Sequence, residues 1–250
     1  MFPTSDALTA GAAERIVAAA AAAVRARGRF VVALSGGVTP KALYERLASA
    51  AYAARVSWSN TEVFWGDERC VPPDDAASNA RMAREALLDR VPIPSDHVHR
   101  IRGEDSPTEA AALYERELRA TFARPVGPPD AERDGRFDVV LLGLGADGHT
   151  ASLFPDSAAL KETTRWVVAD WMPAVSMWRV TLTPILINAA AEILFLVSGR
   201  EKAAILQRVL EGPRQPERLP AQRIAPSRGR LRWLVDSAAA SMLDAKRVAQ

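Results

Sequence analysis

The stretch from Phe137 to Pro155 reads F-D-V-V-L-L-G-L-G-A-D-G-H-T-A-S-L-F-P, a buried strand followed by a glycine-rich turn. Phe137 to Leu142 is an apolar, β-branched run, the pattern of a strand buried on both faces in a parallel sheet. The run passes directly into Gly143-Leu144-Gly145-Ala146-Asp147-Gly148-His149. Glycines this dense allow a sharp turn and a close approach of backbone to ligand. The turn carries an ionisable Asp-Gly-His triplet past the strand's carboxyl end, where open α/β sheets bind their ligands. The spacing therefore predicts an active-site loop with His149 as its most reactive side chain.

The same grammar recurs toward the N-terminus. An Ala-rich helix around Val17 to Val24, stopped by Gly28, precedes a buried strand from Arg29 to Leu34. Ser35-Gly36-Gly37-Val38-Thr39-Pro40 follows, then a helical pattern to about Ala50, with Thr39 expected as N-cap and Pro40 as the first helical residue. A strand, a Gly-rich turn and a helix N-terminus make an anion site from backbone N–H groups. Gly-Gly also serves tight turns for steric reasons alone, and the dinucleotide and P-loop spacings are absent. Glu62 to Trp65 is the next strand, running into Gly66-Asp67-Glu68-Arg69-Cys70. Charges there suit substrate contact or, more commonly, a loop salt bridge. Ser78 caps a helix to about Arg90, and His97 to Ile101 reads as a strand in which His97 and His99 are ordinary members. Ser106-Pro107-Thr108-Glu109 is a capping box opening a helix to about Phe122. Arg124 to Gly135, rich in proline, glycine and charge, reads as a surface loop within one domain.

Beyond the central loop, Trp166 to Ala169 and Trp178 to Leu182 read as strands, and Thr183-Pro184 starts a helix. Ile193 to Val197 is another buried strand, ending in Ser198-Gly199-Arg200-Glu201-Lys202 and a helix to about Glu211. A cation in a helix's first turn opposes its dipole, so Lys202 is unfavourable there unless an anionic ligand gives it a purpose. A loop from Gly212 to Ser227 leads to a last strand, Leu231 to Val235, and a final helix. Strands alternating with helices predict an α/β fold, a mostly parallel sheet with helices on both faces, spanning residues 1–250 as one domain. Right-handed crossovers would bring the Gly-rich strand ends to one rim.

The 32 basic and 30 acidic residues leave a net charge of +2, which gives no support for a nucleic-acid or membrane partner. Cys70 stands alone, which excludes an internal disulfide and fits a reducing compartment. No Cys/His cluster has zinc spacing, so no metal is expected. The Ala-rich segment lacks a basic flank and falls short of the ~20 apolar residues of a membrane span, so a cytoplasmic protein is expected.

One histidine, several cations and backbone N–H nests, with no nucleophile-elbow motif around Ser35, point to hydrolysis or proton transfer on a phosphorylated small molecule. Backbone nests with Arg179 and Lys202 suit a phosphate. A neutral imidazole at His149 suits activation of water. Asp147 could orient that ring or balance nearby arginines. Arg69 is a candidate for stabilising negative charge developing on a carbonyl oxygen.

Taken in order, L-S-G-G-V-T-P, W-G-D-E-R-C-V-P, L-L-G-L-G-A-D-G-H-T-A-S-L-F-P, W-R-V-T-L-T-P and V-S-G-R-E-K-A resemble the 6-phosphogluconolactonase family over nearly the whole chain. Its wider family includes glucosamine-6-phosphate isomerase/deaminase on a similar, Rossmann-like fold. The resemblance implies hydrolysis of 6-phospho-D-glucono-1,5-lactone to 6-phosphogluconate in the pentose phosphate pathway, without an organic cofactor. It implies His149 as the base and Arg69 beside the reacting end of the sugar, with Asp147 counted beside them as catalytic. Ser35, Gly36, Gly37, Thr39, Asp67, Gly145, Gly148, Arg179 and Lys202 would line the substrate and phosphate site. Val38 stands where a hydroxyl residue is common in the family, which removes a side-chain bond but leaves the backbone nest. The expected partner is the small-molecule lactone, in a monomer or small homo-oligomer. A deaminase would place a carboxylate five residues after the histidine, where this chain has Phe154. A non-catalytic sugar-phosphate sensor on the same fold could dispense with the base.

Overall fold

The apolar runs assemble into a five-stranded parallel sheet in a computed structural model that describes residues 1–124 and 135–244. In chain order the elements are α1 (Ser5–Arg27), β1 (Phe30–Leu34), α2 (Val38–Leu47), β2 (Thr61–Trp65), β3 (Asp67–Arg69), α3 (Asn79–Ala86) and α4 (Pro107–Ala123). They continue with β4 (Val139–Leu142), β5 (Val167–Met172), β6 (Met177–Leu182), α5 (Pro184–Asn188), β7 (Glu192–Val197), α6 (Ala203–Glu211) and β8 (Arg230–Val235). The sheet order is β2-β1-β4-β7-β8, and every neighbouring pair is parallel. The chain leaves β1 toward β2 on one side and resumes with β4 on the other. The strand order therefore reverses between β1 and β4, the position at which such sheets open a ligand crevice. Strands β1, β2, β4 and β7 are buried along their full length, as continuous apolar runs in a parallel sheet require.

The mostly parallel sheet is as expected, but Trp166 to Ala169 and Trp178 to Leu182 lie outside it. These segments, now β5 and β6, form a separate antiparallel sheet with β3, in the order β3-β6-β5. The physical reason is the short connection between them, a tight turn at Pro173–Val175 and Ser176. A parallel pair needs a crossover of a dozen or more residues, whereas an antiparallel pair closes through a hairpin. Gly66 joins the two sheets: its N–H donates to Leu34 O at 2.8 Å, and its carbonyl accepts from Leu182 N at 2.9 Å. The charged Asp67-Glu68-Arg69 segment is thus a strand, and its expected salt bridge is absent among the described ion pairs. Glu68 is buried instead and accepts the N–H groups of Arg69, Asn79 and Ala80 and the Ser78 hydroxyl. Burial raises its carboxyl pKa, with those hydrogen bonds pulling the other way.

Helix boundaries shift where caps were misjudged. α2 begins at Val38 with Gly37 as N-cap, so neither Thr39 nor Pro40 opens it. Gly37 lies at φ +106°, a conformation that glycine reaches without strain. α3 keeps its Ser78 cap but ends at Ala86, followed by one 3₁₀ turn at Leu88–Arg90. α4 starts at Pro107 after Ser106, without the expected side-chain cap to the backbone. His97 to Ile101 is not a strand: Ser95–His97 is a 3₁₀ turn, and only Val98 bridges to Val63 of β2. His99 is no ordinary member either, since it is buried between Glu62 and Glu117. The predicted loop between Arg124 and Gly135 lies almost wholly outside the described residues. Of the predicted final helix, residues 237–244 form turns and the remainder lies outside the described residues.

α1 is longer than the Ala-rich run suggested and is apolar enough over its 23 residues to cross a membrane by length and composition. Leu8, Ala12, Ala13, Ile16, Ala20 and Ala23 are buried in the common core with β1 and β4, the pattern of a core helix.

Candidate active site

The strand ends after β1 and β4, the α2 N-terminus, the β3–β6 ladder and the turn after β7 enclose a cavity of about 560 Å³. Its walls include Ser35, Gly36, Gly37, Thr39, Asp67, Arg69, Gly145, His149, Arg179 and Lys202. The residues expected to act together are thus brought together, with two exceptions. Asp147 touches His149 but lines an adjoining depression. Gly148 turns away from the cavity, because a Cβ there would lie 2.8 Å from Leu219, and its φ of +85° marks a turn residue. Its role in this geometry is to shape the loop.

His149 is held from several directions. Its Nδ1 lies 2.5 Å from Asp147 Oδ1, and its backbone N–H donates to the same oxygen at 3.1 Å. Burial pushes the Asp147 carboxyl up, but the hydrogen bonds from His149 outweigh it and hold the group below its usual value. An ionised carboxylate only accepts, so Nδ1 is the donor in this pair, which leaves Nε2 as the ring nitrogen turned to other partners. The imidazole overlies Gly145, where an added Cβ would come within 2.1 Å of Nδ1. The ring also stacks on Phe154, with centroids 4.2 Å apart and planes inclined by 27°.

The cationic wall comes from the antiparallel ladder, where Arg69 and Arg179 are paired directly across strands. Like charges in that position repel. Burial, followed by the charge of Arg69, lowers the Arg179 pKa. Arg69 donates to Ala77 O, yet the Nε atoms of both arginines are buried without a partner. A buried unpaired donor is costly, so the pair calls for an anion or an acceptor-rich ligand. The α2 N-terminus supplies more donors, since the first helical amides have no intrahelical acceptor and Gly37 provides no side-chain cap. Lys202 ends the turn after β7 and has no ion pair among the described residues. The donor set suits a phosphate or phosphate-bearing sugar. No group of three or more metal-ligating side chains occurs among the described residues.

Several supports escaped the sequence reading. Tyr44 OH accepts Ser35 N–H and donates to Ser35 O, both at 2.8 Å, pinning the turn after β1. Asn79 is buried beneath Gly36, where a Cβ would approach its Oδ1 to 2.0 Å. It also donates to Asp67 O at 2.9 Å. The Ser152 hydroxyl donates to Asp67 at 2.6 Å, and Asp236 accepts from the Ser198 hydroxyl at 2.6 Å and from Gly199 N at 3.2 Å. Asp236 had a signal available: it is an acid at the carboxyl end of a strand on the same rim.

A family model described as glucosamine-6-phosphate isomerases/6-phosphogluconolactonase matches residues 3–233. A 6-phosphogluconolactonase of Nostoc sp. is 40% identical over 247 residues, covering 97% of each chain. One from Mycobacterium tuberculosis is 42% identical over 248 residues, with 97% of each chain covered. Among solved structures, the 6-phosphogluconolactonase from Trypanosoma cruzi has a TM-score of 0.82 at 31% identity, covering 96% of this chain and 94% of that one. A monomeric glucosamine-6-phosphate deaminase shares the fold, with a TM-score of 0.78 at 22% identity over 96% of this chain and 97% of its own. The chain therefore belongs to the glucosamine-6-phosphate isomerase/6-phosphogluconolactonase family.

Proposed function

We propose that this chain hydrolyses 6-phospho-D-glucono-1,5-lactone to 6-phosphogluconate, as the names of its relatives suggest. The observation that carries the reading is one cavity holding an Asp147-oriented imidazole together with Arg69, Arg179, Lys202 and the open α2 N-terminus. In this mechanism the Gly36-Gly37 turn, Arg179 and Lys202 grip the phosphate. Nε2 of His149 takes a proton from water as the water oxygen bonds to the lactone carbonyl carbon. Arg69 stabilises the oxyanion, replacing a hydrogen bond that its buried Nε lacks in the free site. When the tetrahedral centre collapses, the bond to the ring oxygen breaks and His149 returns its proton to that oxygen. Asp147 stays ionised and stabilises the intervening imidazolium. We expect the enzyme to work in the cytoplasm.

Phe154 favours hydrolysis over the deaminase reading, since a phenyl ring cannot supply the second proton-transferring group. The test is acid release from freshly generated lactone in a pH-stat, run beside ammonia release from glucosamine 6-phosphate. Catalysed acid release well above the spontaneous rate, with no ammonia, is the expected result. Ammonia without lactone hydrolysis would overturn the reading.

A further inference from the structure

We propose that Phe154 is a positioning residue for His149, its ring setting the plane of the imidazole so that Nε2 addresses the bound lactone. The inference rests on the lactonase reading above. Asp147 anchors one ring atom, Nδ1, at 2.5 Å. One hydrogen bond fixes a point and leaves the ring free to swing about the Nδ1···Oδ1 line. A second constraint on the plane is required, because the 30% exposed side chain stands in an open cavity. Phe154 supplies it with a near-parallel contact at 4.2 Å. Gly145 makes room, since any side chain there would occupy the imidazole's place.

The backbone that carries Phe154 is itself held in place. Leu153, its chain neighbour, is fully buried, and Leu153 N donates to Thr150 O at 2.9 Å, which folds the segment back on itself. The Thr150 hydroxyl donates to Gly143 O at 2.9 Å. The loop after β4 therefore presents base and aromatic backing as one unit. Phe154 also forms part of the boundary between the main cavity and the adjoining depression, lining both. A displacement of about 1 Å at a reacting group can cost about 100-fold in rate. The ring contact of Phe154 is with the base, and no cation–π contact ties it to Arg69, Arg179 or Lys202 among the described residues, so its loss should fall on turnover and spare binding.

Phe154→Ala should lower kcat by about 10- to 100-fold, with KM and the dissociation constant for 6-phosphogluconate changed by less than about twofold. Phe154→Tyr keeps a planar face and should restore kcat to within about threefold of the parent, whereas Phe154→Leu, similar in bulk but without a ring, should behave like the alanine variant. Unchanged kcat in Phe154→Ala, parallel loss of kcat and binding, or equal activity of the leucine and tyrosine variants would overturn the proposal. If the alanine variant fails to fold, the leucine–tyrosine comparison decides alone. An unsubstituted protein inert toward the lactone would refute the reaction itself. An active one with Phe154-insensitive turnover would refute only this inference.

Discussion

A Cβ added to Gly145 would lie 2.1 Å from Nδ1 and 2.2 Å from Cε1 of His149, distances that real contacts do not reach. Gly145→Ala must therefore displace the imidazole or the loop. We expect kcat to fall by about 100-fold or more, with thermal unfolding shifted by only about 2–4 °C, measured by steady-state kinetics and calorimetry on one preparation. Residues whose chemistry depends on their own turn were legible in the sequence. His149, Gly145, Arg69 and Lys202 all line the cavity, as expected from their strand ends. The structure differs from expectation at Gly148 and at the Thr39 cap, although Thr39 lines the cavity. A glycine's role depends on which neighbour it meets, here Leu219, and a cap depends on where the helix starts, here one residue before Thr39. Asn79 was invisible because its partners, Asp67 and Gly36, lie far from it along the chain.

At the scale of elements, the parallel strands were easy to find because continuous burial leaves an unbroken apolar signature. The antiparallel sheet was not, because β3 consists of three charged residues and β5 has half-buried and exposed positions between its ends. What the sequence could not reveal was that Arg179 reaches the site through cross-strand pairing with Arg69. The turn after β7 depends on Asp236, where burial raises the carboxyl pKa and the hydrogen bonds from Ser198 and the Ala239 and Gly199 amides overcome it, lowering the group overall. Asp236→Asn should loosen the turn that presents Lys202, raising KM by about 3- to 10-fold with little change in kcat. A fall in kcat at constant KM would detach this turn from phosphate binding. On the opposite flank, Glu68→Gln should destabilise the fold by about 1–3 kcal/mol in urea titrations, since Glu68 ties β3 to the α3 N-terminus.

At the scale of the whole molecule, stability should carry a pH signature from a cluster away from the cavity. His99 lies between Glu62 at 2.5 Å and Glu117 at 2.6 Å, stacked on Phe64. Burial lowers its pKa, but the two carboxylates outweigh that and raise it to about 9. A raised folded-state value means that the His99 contribution is complete below about pH 6.5 and is lost as pH rises through about 9. Stability measured by urea titration should therefore fall by about 1–3 kcal/mol across that window, and His99→Gln should flatten the difference. In the proposed reading one cavity separates a base from a phosphate grip, and paired substitutions separate the two roles. In His149→Ala, kcat on the lactone should drop by about 10²–10⁴-fold while 6-phosphogluconate affinity stays within about twofold, and in Lys202→Ala the affinity should fall with kcat largely kept. Full turnover in His149→Ala, or a loss of product affinity equal to that of Lys202→Ala, would contradict the account.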